Sequence, residues 1–272
     1  MISLQNKNAV IYGAGGSLGG AMAKAFAASG AKVFVTGPHL DKVQKLADEI
    51  KATGGYAEAA QVDALDEKAV NDHIASVVQK AGTVDVSFNG AWNGVVQGIP
   101  LTEISVKDFV TPIHMAIQSR FITGTAAARV MMKQKSGVIL NLTATPGGIG
   151  YPHTGGFAPT CAAIESLSRN LAVEFGIYGI RSVNIRSGGS PDSKVFKDAI
   201  SAQPAMMKTV LNTMEADTSL KKLAMMEDIT NAAVFLVSDM AAKITGVTID
   251  ITVGTTAGLN YRVGLPAFNE EK

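Results

Sequence analysis

The architecture this sequence predicts is an α/β fold: a doubly wound parallel sheet of about seven strands, forming a single domain over 1–272. Three observations point to it. Short, continuously apolar runs alternate with segments of helical spacing almost to the C-terminus, and strands apolar on both faces belong to parallel sheets covered on both sides. A glycine-rich turn, Gly13-Ala14-Gly15-Gly16-Ser17-Leu18-Gly19, follows the first apolar run and opens the first helical one. The composition, 47% hydrophobic and 17% charged over 272 residues, supplies enough apolar surface for one large core.

Taken in order, Ala9 to Tyr12 reads as a buried strand. Leu18 to Ser29 has the alanine-rich composition of a packed helix, stopped by Gly30 at the usual position past a helix end. Lys32 to Thr36 is a second strand, and Asp41 to Lys51 a helix with Val43, Leu46, Ala47 and Ile50 at helical spacing. Gly54 and Gly55 turn the chain into a short strand ending near Val62. A helix from Asp66 to Lys80 precedes a strand at Val84 to Phe88. The long helix expected between Ser105 and Met132 contains Pro112, which must kink it or mark its start. Val138 to Leu142 is a strand, Pro159 to Phe175 a helix, and Ile180 to Ile185 a strand. Glu227 to Asp239 is a helix and Val247 to Val253 the last strand. Right-handed crossovers make this series a Rossmann-type fold.

The same arithmetic excludes several classes of function. Lys and Arg total 24 and Asp and Glu total 23, a net charge of +1, so no general electrostatic footprint for nucleic acid or anionic membrane exists. A single cysteine, Cys161, can form neither an intramolecular disulfide nor a thiolate cluster for zinc or iron–sulfur, and no metal is expected. No segment approaches the roughly 18 apolar residues of a membrane span. Met1 to Asn8 is too polar for the core of a signal peptide, so a cytoplasmic protein is expected.

The glycine turn sits where a phosphate cradle belongs. Glycine permits positive φ and lets a pyrophosphate approach backbone N–H groups at a helix N-terminus, where the dipole favours anions. Gly13, Gly15, Ser17, Leu18 and Gly19 are therefore the expected cofactor-binding residues. The acidic residue that would bind the adenosine ribose hydroxyls after the second strand is missing, for the strand ends Val35-Thr36-Gly37-Pro38-His39. With no carboxylate to repel a 2′-phosphate and His39 and Lys42 nearby, NADP(H) is favoured over NAD(H).

These segments resemble the short-chain dehydrogenase/reductase family from about residue 6 to about residue 257. Asp63 is similar to the family's adenine-contacting aspartate, and Phe88-Asn89-Gly90-Ala91 resembles its Asn-Asn-Ala-Gly segment, retaining the first asparagine. Ser187-Gly188, Phe235-Leu236-Val237-Ser238-Asp239 and Ile244-Thr245-Gly246 resemble its later motifs. Asn141-Leu142-Thr143-Ala144-Thr145 is also similar to the dienoyl-CoA reductase branch. Matching Arg169, Leu171, Ala172 and Glu174 to the family helix puts its catalytic tyrosine and lysine positions on Phe157 and Cys161, and its serine on Ala144 or Thr143. The asparagine of the preceding helix falls near Ala116. In the family the tyrosine phenol exchanges a proton with substrate oxygen beside the lysine ammonium. Phe157 has no proton to exchange and Cys161 carries no cation, so the resemblance implies hydride transfer by another route.

Substitutes would come from the loop between Thr143 and Ala158: Tyr151, His153, Thr143 and Thr145, with histidine the natural acid near neutral pH. His114 could line the pocket from the long helix. Trp92, Phe157 and Gly188 are expected at the substrate, beneath a methionine-rich covering segment at about 188–226. The first expectation is an NAD(P)-dependent oxidoreductase acting on a small or medium apolar substrate, with an activated C=C or imine as the acceptor that needs a phenolic acid least. The others are an inactive dinucleotide- or ligand-binding subunit and a non-redox lyase or isomerase. Family similarity implies a homodimer or homotetramer packed through the helices containing Met132 and Leu171.

Overall fold

The computed structural model describes residues 2–92 and 94–258. Met1, Asn93 and residues 259–272, which the expected domain range includes, lie outside the described residues. The order is β1 (Asn8–Tyr12), α1 (Ser17–Ala28), β2 (Lys32–Gly37), α2 (Leu40–Ala52), β3 (Tyr56–Gln61), α3 (Glu67–Ala81), β4 (Val86–Asn89), α4 (Val106–Gln134) and β5 (Gly137–Ala144). Then follow α5 (Phe157–Phe175), β6 (Ile180–Ser187), α6 (Lys194–Ala202), α7 (Pro204–Asp217), α8 (Met226–Val237) and β7 (Thr248–Ile251).

All seven strands are parallel, in the order β3-β2-β1-β4-β5-β6-β7. The strand order reverses between β1 and β4, which makes the carboxyl ends of these central strands the place for a ligand. Their register is tight there: Tyr12 pairs with Asn89, Asn89 with Asn141, and Ala144 with Ser187. Alternation along β1 splits the core in two. Ala9 and Ile11 pack with α1, α2 and α8 through Met22, Phe26, Leu46 and Ile229. Val10 and Tyr12 face Val70, Ile74, Met131 and Leu171 on the opposite side.

Three details sharpen or correct the sequence expectation. The long helix α4 starts at a serine cap, Ser105 Oγ accepting from Asp108 N at 3.0 Å, and runs through Pro112. The missing proline N–H leaves one carbonyl without its ladder bond. Helix α5 starts at Phe157 rather than Pro159, with Gly156 before it. A Cβ on Gly156 would lie 2.0 Å from the Phe109 carbonyl oxygen, so this glycine is what lets α5 begin against α4. Finally, the methionine-rich segment forms two helices, α6 and α7, of whose residues only Met207 is buried.

Candidate functional site

A cavity of about 1200 Å³ opens over the carboxyl ends of the strands. Its floor at one end is the glycine turn. Gly13 has φ +74°, and a Cβ there would lie 2.8 Å from the Ala91 amide nitrogen. A Cβ on Gly19 would stand 2.3 Å from the Gly13 carbonyl oxygen, so α1 begins in backbone contact with the turn. Gly16 caps α1 without a side-chain hydrogen bond and no acidic residue occupies the first turn. The free N–H groups and the positive end of the helix dipole therefore meet the cavity uncompensated, a cradle suited to a pyrophosphate.

Gly13, Gly15, Ser17, Leu18, His39 and Asp63 all line this cavity. Gly19 does not line it, and acts through its contact with the turn. Ser17 Oγ accepts from Lys194 N at 2.8 Å, which ties the start of α6 to the glycine turn. His39 and Lys42 line the wall at the end of β2 with exposed side chains. Asn89 is buried and outside the lining: its Nδ2 donates to Thr123 Oγ1 at 3.0 Å and its Oδ1 accepts from Ala91 N at 3.0 Å. The asparagine thus holds the shape of the 89–91 wall.

At the other end, Thr143, Ala144 and Thr145 from β5, Tyr151 from the following loop, and Phe157, Trp92 and Gly188 line the cavity. The Phe157 and Trp92 rings lie 4.9 Å apart. Thr143 is already engaged, donating to Glu165 Oε1 at 2.9 Å and accepting from Asn184 Nδ2 at 2.8 Å. Glu165, nearly buried, takes a two-pronged ion pair from Arg186, with Nε to Oε1 at 3.0 Å and Nη2 to Oε2 at 2.7 Å. Arg186 Nη1 continues to Asp250 at 2.9 Å. Thr145 Oγ1 donates to the Ser187 carbonyl at 3.4 Å. Tyr151 keeps a half-open side chain, 43% exposed.

Two of the expected histidines lie elsewhere. His153 is exposed at φ +58° and outside the lining, its carbonyl holding Gly98 N at 2.8 Å. His114 is also exposed and outside the lining. Cys161 is fully buried behind the wall, where burial pushes its thiol up to about 11. Leu171 itself is buried; the exposed large apolar residues of α4 and α5 are Val106, Val110, Phe121 and Val173, with Ile177 just past the end of α5. Phe196, Met207 and Met214, from α6 and α7, line the cavity, whereas Met206 and Met225 are exposed. Sequence reasoning passed over Arg120 and the Glu165–Arg186 pair. Both belong to buried helix or strand faces otherwise made of small or apolar residues, and that contrast was the available signal.

A glycine cradle at the switch point of a parallel sheet defines a nucleotide-binding α/β protein. A family model described as enoyl-(acyl carrier protein) reductase matches residues 13–256. The chain is 32% identical to an uncharacterized oxidoreductase of Thermotoga maritima, over 94% of this chain and all of the relative. It is 29% identical to 7alpha-hydroxysteroid dehydrogenase of Escherichia coli K12, over 95% of this chain and 98% of that one. A solved 7alpha-hydroxysteroid dehydrogenase complexed with NADH and 7-oxo glycochenodeoxycholic acid superposes with a TM-score of 0.83 at 29% identity, covering 93% and 95% of the two chains. The chain belongs to the short-chain dehydrogenase/reductase family of oxidoreductases.

Proposed function

We propose that this chain is an NAD(P)-dependent oxidoreductase of divergent active site, which moves hydride to or from a small or medium apolar substrate without a tyrosine–lysine pair. The observation that carries this reading is Phe157 in the cavity wall beside Trp92, with Cys161 one helical turn on and fully buried. These are the positions on which the family's catalytic tyrosine and lysine fall. When bound, the nicotinamide supplies or takes the hydride. The chain's own residues bind, orient and exclude water.

Gly13, Gly15, Leu18 and the N-terminus of α1 would hold the pyrophosphate, Gly19 and Asn89 would keep that surface in shape, and Asp63 would face the adenine. His39 and Lys42 favour NADP(H), since the nearby lining offers a cation in place of a carboxylate. Phe157 and Trp92 present an apolar face that suits a conjugated C=C or an imine better than an isolated ketone. Tyr151 is the proton carrier, because Thr143 and Thr145 hold their hydroxyls inward. The 188–226 segment covers the substrate through Phe196 and Met214, whose side chains close on Gly189. The family's dimer or tetramer and a cytoplasmic setting complete the reading, with Phe121, Val173 and Ile177 available to a partner subunit.

Titration with NADPH and NADH, followed by nicotinamide emission, tests the binding half: saturable binding is expected, tighter for NADPH, and no binding would overturn it. Turnover against enones, imines and ketones tests the rest, with activity on the first two and a loss of about 10²-fold in Tyr151→Phe. A second reading, a subunit that binds the dinucleotide without turning it over, is favoured by the scarcity of proton carriers at the reacting end. Binding without turnover on all three substrate classes would establish it.

A further inference from the structure

Arg120 heads the fully buried side chains by size, at 1% exposure, yet has no carboxylate partner among the described residues. Its Nη1 donates to the carbonyls of Ala91 at 3.1 Å and Ala116 at 3.3 Å. Its guanidinium carbon lies 4.9 Å from the centre of the Trp92 ring. The remaining donors, Nε and Nη2, are buried and unpaired. Burial lowers the guanidinium only to about 10, so it remains a cation at neutral pH, and the neighbouring Cys161 thiol offers no compensating anion there. A buried cation with two empty donors and no counter-charge is costly and invites a ligand.

The identity of the empty donors specifies that ligand. Nε and Nη2 form one edge of the planar fork, the geometry that meets both oxygens of a carboxylate at once. The same protein shows the edge filled: Arg186 uses Nε and Nη2 to hold Glu165. Arg120 presents the identical edge with nothing on it, directly behind Ala91 and Trp92, which both line the cavity. Trp92 in turn contacts Phe157, so the surface adjoining the cation is apolar.

We propose that the Nε–Nη2 edge of Arg120 is a carboxylate-binding site, and that the substrate is an apolar monocarboxylic acid whose carboxylate displaces the Trp92 ring from the guanidinium. The word substrate rests on the oxidoreductase reading above; the binding site does not. Arg120 thereby fixes the orientation of the apolar part against Phe157, and discriminates acids from the corresponding amides and alcohols.

Trp92 is the single tryptophan of the chain, so all tryptophan emission comes from the residue that covers the guanidinium. The acid-against-amide comparison separates this contact from its others with Phe157 and the cavity. The experiment titrates hexanoate and, separately, hexanamide into the full-length protein, following Trp92 emission and the thermal midpoint. A saturable emission change and a raised midpoint are expected with hexanoate, and binding at least about tenfold weaker with hexanamide. Arg120→Met, similar in length and neutral, should weaken hexanoate binding by about tenfold or more. Equal response to acid and amide, no saturation with hexanoate, or undiminished binding in folded Arg120→Met would overturn the proposal. Should Arg120→Met not fold, the acid-against-amide comparison in the unmodified protein decides alone. NADPH binding, read separately by nicotinamide emission, tells a failure of this site from a failure of the oxidoreductase reading.

Discussion

Cys161 lies close enough to Arg120 for their charges to interact, and Arg120 is wholly buried. A lysine at position 161 would therefore set a second buried cation against the first. The double variant Phe157→Tyr/Cys161→Lys is expected to lose thermal stability through like-charge repulsion and desolvation. Adding Arg120→Met should restore the melting midpoint and, with the tyrosine–lysine pair now in place, bring NADPH-dependent ketone reduction. A folded triple variant without ketone activity would show that the substrate pose has moved as well. Phe157 and Cys161 were legible in the sequence because their spacing from the motif at Arg169–Glu174 is fixed by the helix. The burial of Arg120 was legible only indirectly. Ala116, Thr123 and Ala127 share its helical face, and a stripe of small residues marks a face pressed against something. His153 shows the opposite failure. Its chemistry recommended it, but its left-handed backbone and exposure place it off the cavity, so His153→Ala should leave turnover unchanged where Tyr151→Phe lowers it.

Among the elements, the first turn and helix carry the sharpest expectation. Gly19→Ala would drive a methyl group to 2.3 Å from the Gly13 carbonyl oxygen, a contact with backbone that no rotamer relieves. A stability loss of about 1–3 kcal/mol in urea unfolding is expected, together with loss of NADPH binding. Strand β6 and helix α5 are coupled by Arg186 and Glu165, whose side chains are 16% and 7% exposed. Arg186→Met, which leaves a buried carboxylate unpaired, should cost roughly 3 kcal/mol, and the double variant with Glu165→Leu should recover much of it. The apolar centres of the strands were legible, and so were the helices with regular apolar spacing. The ends of β5 and β6 were not, because Thr143, Arg186 and Ser187 look like loop residues until their ladder is seen to run from Gly137–Ile180 through Ala144–Ser187. Of these polar strand ends, Thr143 and Ser187 line the cavity, and Arg186 holds Glu165 behind it. Helices α6 and α7 were hidden for a different reason: with only Met207 buried, they lack the clear apolar stripe that announces a packed helix.

Across the whole molecule, the sheet order follows from alternation and right-handed crossovers, which is why the architecture was readable before any contact was known. The acid response of the fold was not readable. His73 on α3 has a buried, unpaired Nδ1, and burial lowers its pKa to about 4. An unfolded chain takes up that proton near pH 6.5, whereas the folded one resists until about pH 4. The contribution is therefore fully present above pH 6.5 and is lost as pH falls toward 4. Urea midpoints at pH 7 and pH 5 should differ less in His73→Gln than in the unmodified protein. Nicotinamide chemistry at the Phe157 end of the cavity is the claim on which the rest depends. A crystal structure with NADPH soaked in tests it most directly. The adenosine is expected between His39 and Asp63, with the nicotinamide ring against Phe157 and Ala144. A cavity that takes up no NADPH, or a nicotinamide lodged away from Phe157, would contradict it.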